Sequence, residues 1–128
     1  EISAESPIFD PQYQYAAGEP HLRHTGGFSF ASPICAEVHY PWDIRAAVQE
    51  GAQFVVHTGN NSWVALGRGQ YLRLTDGVRR TEAVWLNVPI VITGKDERAG
   101  VLAPDGRLDA VSVDPMRHYG IFFNTLRL

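Results

Sequence analysis

Two short apolar runs, Gln53–His57 and Pro89–Thr93, flank a long segment from about Arg68 to Leu86 whose apolar residues recur at helical spacing. A strand, a helix and a second strand in one sheet bring the two strands parallel, with the helix lying across a sheet face. The same grammar occurs just upstream. Phe28–Ile34 is an apolar run, which Pro33 shortens or places at an edge. Asp43–Glu50 then sets Ile44, Ala47 and Val48 on one helical face, and Gly51 stops that helix. In the long helix, Tyr71, Leu74, Val78, Glu82 and Trp85 share a face. Gly77 costs it about 1 kcal/mol relative to alanine, so a kink or a close contact is expected there. Downstream, Ala99–Ala103 and Leu108–Val113 read as strands joined by the turn Pro104-Asp105-Gly106-Arg107, and Tyr119–Leu128 as a final strand. The expected class is α/β: a mixed sheet with two covering helices, beginning in crossovers and ending in hairpins. Residues 1–27, rich in Pro, Gly, Tyr and His, read as an irregular arm with room for one short strand, leaving 28–128 as the domain.

Composition narrows the function classes. A net charge of −3 with scattered Lys and Arg gives no reason to expect nucleic acid or an anionic membrane. One cysteine excludes an internal disulfide, and the five histidines are dispersed, so no metal-ligand spacing and no cofactor is proposed. Gly67-x-Gly69 lacks the Lys-Ser/Thr of a phosphate loop. No run is long enough to span a bilayer and no signal-peptide pattern is present. The chain starts at Glu1 and its one methionine is Met116, so a processed chain or a piece of something longer is expected.

The single thiol, Cys35, stands where the first apolar run meets the first helix, in Ile34-Cys35-Ala36-Glu37-Val38-His39-Tyr40-Pro41. A lone cysteine is more often a buried structural residue. A thiol at the mouth of a strand-to-helix turn is also where an enzyme exposes a nucleophile, with backbone N–H groups facing a developing oxyanion.

The surroundings of Cys35 carry a resemblance. Cys35-x-Glu37, then Tyr40-Pro41, a helix, Gly51-Ala52, an apolar strand and Asn60-Asn61-Ser62-Trp63 resemble the nitrilase (carbon–nitrogen hydrolase) superfamily. The most similar branch is the catalytic domain of apolipoprotein N-acyltransferase, whose spacing is kept from Cys35 to Trp63 and again from Pro89 to Arg107. The resemblance spans about residues 28–113 and implies the C-terminal half of a nitrilase-like α-β-β-α sandwich. It further implies Cys35 as nucleophile, the Ala36 N–H as oxyanion donor, and Glu37 as an acidic residue that orients groups or moves protons. Asn60, Asn61, Trp63 and Lys95 are implied as pocket walls. Glu82 is out of register with the family's helix-end glutamate, where Trp85 falls instead. The family's general base and lysine lie upstream of the cysteine, and residues 1–34 contain no lysine. Lys95-Asp96-Glu97-Arg98 replaces an uncharged loop, and is expected to be a solvated charged turn more than a pocket tuned to polar substrates. Ala36 stands where that branch commonly has tyrosine.

Three functions follow as expectations. The first is acyl transfer through a Cys35 thioester, with phospholipid as donor and a lipoprotein amino terminus as acceptor. Its membrane-spanning parent would hold the domain outside the cytoplasm. The second is hydrolysis of a small amide or nitrile by a cytoplasmic carbon–nitrogen hydrolase. The third is a non-catalytic half-domain whose uncovered sheet pairs with another chain, the missing half of the fold or a second copy.

Overall fold

The computed structural model describes residues 22–64 and 67–110. Leu22–Thr25 (β1) and Phe28–Ala31 (β2) form a hairpin whose turn residues, Gly26 and Gly27, have φ of 55° and 84°. Such positive angles are what a two-residue turn needs to match strand twist, and glycine adopts them without penalty. The short strand allowed for within residues 1–27 is thus an edge strand of the sheet. After β2 come a 3₁₀ turn, Cys35–His39, and helix α1, Pro41–Gln49, with proline at its first position. Then follow β3 (Phe54–Asn60), α2 (Arg68–Leu86), β4 (Ile90–Lys95), β5 (Gly100–Leu102) and β6 (Leu108–Ala110). The expected final strand, Tyr119–Leu128, and residues 1–21 of the arm lie outside the described residues.

The six strands lie side by side in chain order. β2, β3 and β4 run parallel, because a helix returns the chain between them, and the flanking pairs are antiparallel hairpins. The mixed α/β sheet read from the apolar pattern is therefore the one observed.

Period-two alternation decides which side of each strand meets the helices. Val55, His57 and Gly59 of β3 are buried on that side, as are Ile90 and Ile92 of β4 and Leu102 of β5. They join Ala31, Val38, Ile44, Ala47 and Ala83 in one core, against which Val48 and Leu86 pack. Each fully buried aliphatic side chain there contributes about 1.5–3 kcal/mol. The opposite face is apolar too. Phe30 and Phe54, paired in register and stacked at 5.3 Å, are only half-buried, as are Val56, Val91 and Val101.

Three expectations are corrected. The stripe of α2 carrying Leu74, Val78 and Trp85 does not pack on the sheet; Leu74 is 62% and Trp85 49% exposed. The buried residues are Thr75, Arg79, Glu82 and Ala83, about 100° or less around the helix. Nor is Gly77 a point of close contact, since a Cβ there would meet nothing within 4 Å. The third correction explains the first. Glu97, expected in a solvated turn, has a fully buried side chain paired with the guanidinium of buried Arg79, so α2 presents a charge to the sheet instead of a leucine. Lys95, Asp96 and Arg98 remain exposed.

Candidate functional site

The carboxyl ends of the three parallel strands gather the residues singled out by sequence. Cys35 follows β2, Asn60 closes β3 with Asn61–Trp63 after it, and Lys95 closes β4, paired in register with Asn60. This is the end of an open α/β sheet at which ligands bind.

Cys35 is half-exposed and has φ of 54°, a left-handed conformation that costs a residue with a Cβ roughly 1–2 kcal/mol. Such strain persists only where neighbours over-determine it. Ile34 is held by a bridge to Thr58, whose N–H donates to the Pro33 carbonyl at 3.3 Å. The Ile34 N–H donates to Glu37 Oε2 at 2.7 Å, and the Glu37 N–H returns to the Ile34 carbonyl at 3.1 Å. The Glu37 carboxylate therefore closes the turn beneath the thiol. Ala36, next to Cys35, is exposed.

The third restraint is His57, which the scattered histidines gave no reason to select. Its Nε2–H donates to the Cys35 carbonyl at 2.9 Å from the middle of β3. Burial, and then the positive charge of Arg79, pulls its pKa down from 6.5 to about 4. The ring is thus neutral, with the proton on Nε2 and a bare Nδ1 that has no hydrogen-bond partner. The available signal was its place in β3, in phase with buried Val55. His39 turns instead to α2, with Nε2 3.4 Å from Thr75 Oγ1; burial and Arg79 also lower its pKa.

The pocket-wall candidates divide. Asn60 is exposed and folds onto Ser62, accepting from its N–H at 3.1 Å and its hydroxyl at 2.7 Å. Asn61 is buried; its N–H donates to the Lys95 carbonyl at 3.0 Å and its amide approaches Glu97 Oε2 at 3.4 Å. Trp63 is exposed and stands edge-on to Tyr71 of α2 at 6.2 Å. The loops after β3 and β4 thus share the Arg79–Glu97 anchor, with Asp76 on the second arm of Arg79 at 3.2 Å. Room for that anchor comes from Gly59 and Gly94, paired across β3 and β4. A Cβ on Gly94 would collide with the Gly59 carbonyl and with Glu97.

A groove of about 590 Å³ opens elsewhere, between α2 and the start of α1, lined by His39, Pro41, Leu74, Val78, Glu82 and Trp85 among others. Both carboxylate oxygens of Glu82 are buried without a partner, and burial raises its pKa from 4.5 to about 7, against the pull of Arg79. Among the described residues no group of His, Cys, Asp or Glu could hold a metal ion.

No family model matches the sequence, and no curated protein does. Solved structures do. Nit3 of Saccharomyces cerevisiae, a member of branch 10 of the nitrilase superfamily, matches with a TM-score of 0.62 at 14% identity, over 79% of this chain and 40% of its own. A mutant amidase from Nesterenkonia sp. AN1, showing Michael addition of acrylamide at its active-site cysteine, matches with 0.62 at 19%, over 84% of this chain and 46% of its own. Another mutant of that amidase, in complex with butyramide, gives 0.60 at 18%, over 80% and 41%. The chain spans less than half the length of each. At such identities the fold is what is shared: the mixed six-stranded sheet with two helices seen in the described residues matches part of the fold of these nitrilase-superfamily structures.

Proposed function

We propose that this chain is the nucleophile-bearing half of a nitrilase-fold carbon–nitrogen hydrolase acting on a small amide. The observation that carries the proposal is Cys35, held in a strained left-handed conformation at the carboxyl edge of the parallel strands. In the proposed reaction the Cys35 sulfur attacks the amide carbon, and the oxygen becomes an oxyanion facing the Ala36 N–H. Collapse expels the amine, which takes a proton, and leaves a thioester. Water then releases the acid and restores the thiol. Glu37 orients the turn, Asn60, Trp63 and Lys95 wall the substrate, and buried Asn61 ties the loops behind them. The general base and the oxyanion lysine implied by the resemblance would come from a segment stacked on the second, half-buried sheet face around Phe30 and Phe54. Without that segment the same face favours self-association.

One observation favours a second reading, N-acyltransfer. The Cys35-to-Trp63 spacing is that of the apolipoprotein N-acyltransferase branch, and the thioester would then pass to an amine. No helix among the described residues is long and apolar enough to cross a membrane.

The test is covalent. Acrylamide should modify Cys35 of the folded chain faster than in the same chain unfolded in urea, with no adduct on Cys35→Ser; equal rates refute an activated nucleophile. Loading Cys35 from p-nitrophenyl butyrate then separates the two readings. Release of butyrate in the presence of a primary amine supports hydrolysis, and butyryl amide supports transfer.

A further inference from the structure

We propose that His57 is a positioning residue that aims the oxyanion donor of Cys35 chemistry, an inference that rests on Cys35 being the nucleophile. The peptide bond between Cys35 and Ala36 is trans, as all described ones are, so its C=O and N–H point in opposite directions. The His57 Nε2–H draws the Cys35 carbonyl inward, toward the buried centre of β3, at 2.9 Å. The Ala36 N–H is thereby turned outward, on an exposed residue beside the thiol. Were this peptide to rotate, the carbonyl would face the reacting carbon and repel the charge that the N–H is needed to hold.

The surroundings of His57 suit this task. A donor at Nε2 is required, and one tautomer of the neutral ring supplies it. Arg79 faces the ring and opposes a second proton, while Glu97, beside Gly59 one turn of the strand away, and Asp76 balance that guanidinium. His39 is the remaining titratable group that acts on the ring. His57 is 2% exposed, paired in register with buried Ile92 and within reach of the Arg79 charge, so its ring is held in the packed interior. Glu37 fixes the residue before the thiol and His57 the peptide after it. Together they hold a conformation that a cysteine left alone would abandon.

The experiment compares two electrophiles on the intact chain. Iodoacetamide alkylates sulfur by displacement at a saturated carbon and forms no oxyanion; p-nitrophenyl butyrate acylates it through one. His57→Asn keeps an amide but ends short of the carbonyl, and His57→Gln places an amide N–H close to the position of Nε2. The expected result is that His57→Asn slows acylation by tenfold or more while alkylation stays within about twofold, given that loss of one oxyanion donor typically costs 10²–10³-fold. His57→Gln should recover most of the lost rate. Equal slowing of both reactions, or unchanged acylation in His57→Asn, overturns the proposal. If His57→Asn does not fold, judged by circular dichroism, His57→Phe, a ring without a donor, takes its place: acylation slowed tenfold or more with alkylation within about twofold supports the proposal, and equal slowing of both or unchanged acylation refutes it. Parent acylation no faster than in the urea-unfolded chain would instead be a failure of the nucleophile assignment, visible before any His57 variant is made.

Discussion

Glu82 and His57 make the stability of this chain respond to pH in opposite senses, and substitution should separate them. Glu82 holds its proton more tightly folded than unfolded, about 7 against 4.5. Its neutral form is therefore what the fold accommodates. That contribution is complete below pH 4.5 and is lost as pH rises through about 7. The interval corresponds to about 3 kcal/mol, and water in the adjoining groove screens part of it, leaving about 2 kcal/mol. His57 behaves in the reverse way. Its pKa falls from 6.5 to about 4, so its contribution is complete above 6.5 and lost as pH falls through about 4. Between roughly pH 4.5 and 6.5 the two slopes oppose each other in the parent chain. Glu82→Gln removes one of them. Urea unfolding followed by tryptophan fluorescence should show the variant gaining on the parent by about 2 kcal/mol between pH of about 4.5 and about 7.5. His57→Gln should gain on the parent in the other direction, as pH falls. A Glu82→Gln minus parent difference that stays constant across this range would refute a buried, neutral carboxyl at Glu82.

Three further outcomes follow from particular contacts. Gly77→Ala, mid-helix with open space around its Cα, should raise stability by about 1 kcal/mol in the same unfolding assay. Glu97→Ala removes the buried partner of Arg79 and leaves it only the more exposed Asp76, and should cost about 3 kcal/mol, whereas the double change Arg79→Met with Glu97→Leu should cost far less. Cys35→Gly should be more stable than Cys35→Ala by about 1 kcal/mol in thermal melts, because glycine carries no Cβ penalty at a φ of 54°.

The layer order was legible because strand and helix periods alternate cleanly from Phe28 to Leu108, and because Gly51 and Pro104-Asp105-Gly106-Arg107 punctuate them with turn chemistry. The β1–β2 hairpin was less visible: Gly26-Gly27 is a hairpin signal, but Leu22–Thr25 before it carries one apolar residue and faces mostly solvent. What failed was the assumption that apolar residues of α2 mark its buried face. A buried ion pair reverses that logic, and the partner of Arg79 lies in a loop whose four consecutive charges read as solvated. Cys35 was found from its position at the end of a strand. His57 was not, because a hydrogen bond from a side chain to a distant carbonyl leaves no periodic trace; its one clue is a histidine in phase with buried Val55.

Gly59 and Gly94 thin the sheet to bare backbone at one spot, and the Glu97 side chain descends into that opening. The loop after β4 is thereby tethered at its centre and not only at its ends. Lys95, Asp96 and Arg98 are carried on a rigid mount, with their side chains outside the anchor. Lys95 and Arg98 can be exchanged without breaking that anchor, whereas Asp96, at a φ of 57°, holds a left-handed position that few residues share. Much of the chemistry displayed at this end of the sheet is therefore separable from the frame that displays it. A library randomised at Lys95 and Arg98, with Gly59, Arg79, Gly94, Asp96 and Glu97 kept, would explore selectivity on a scaffold that stays in place.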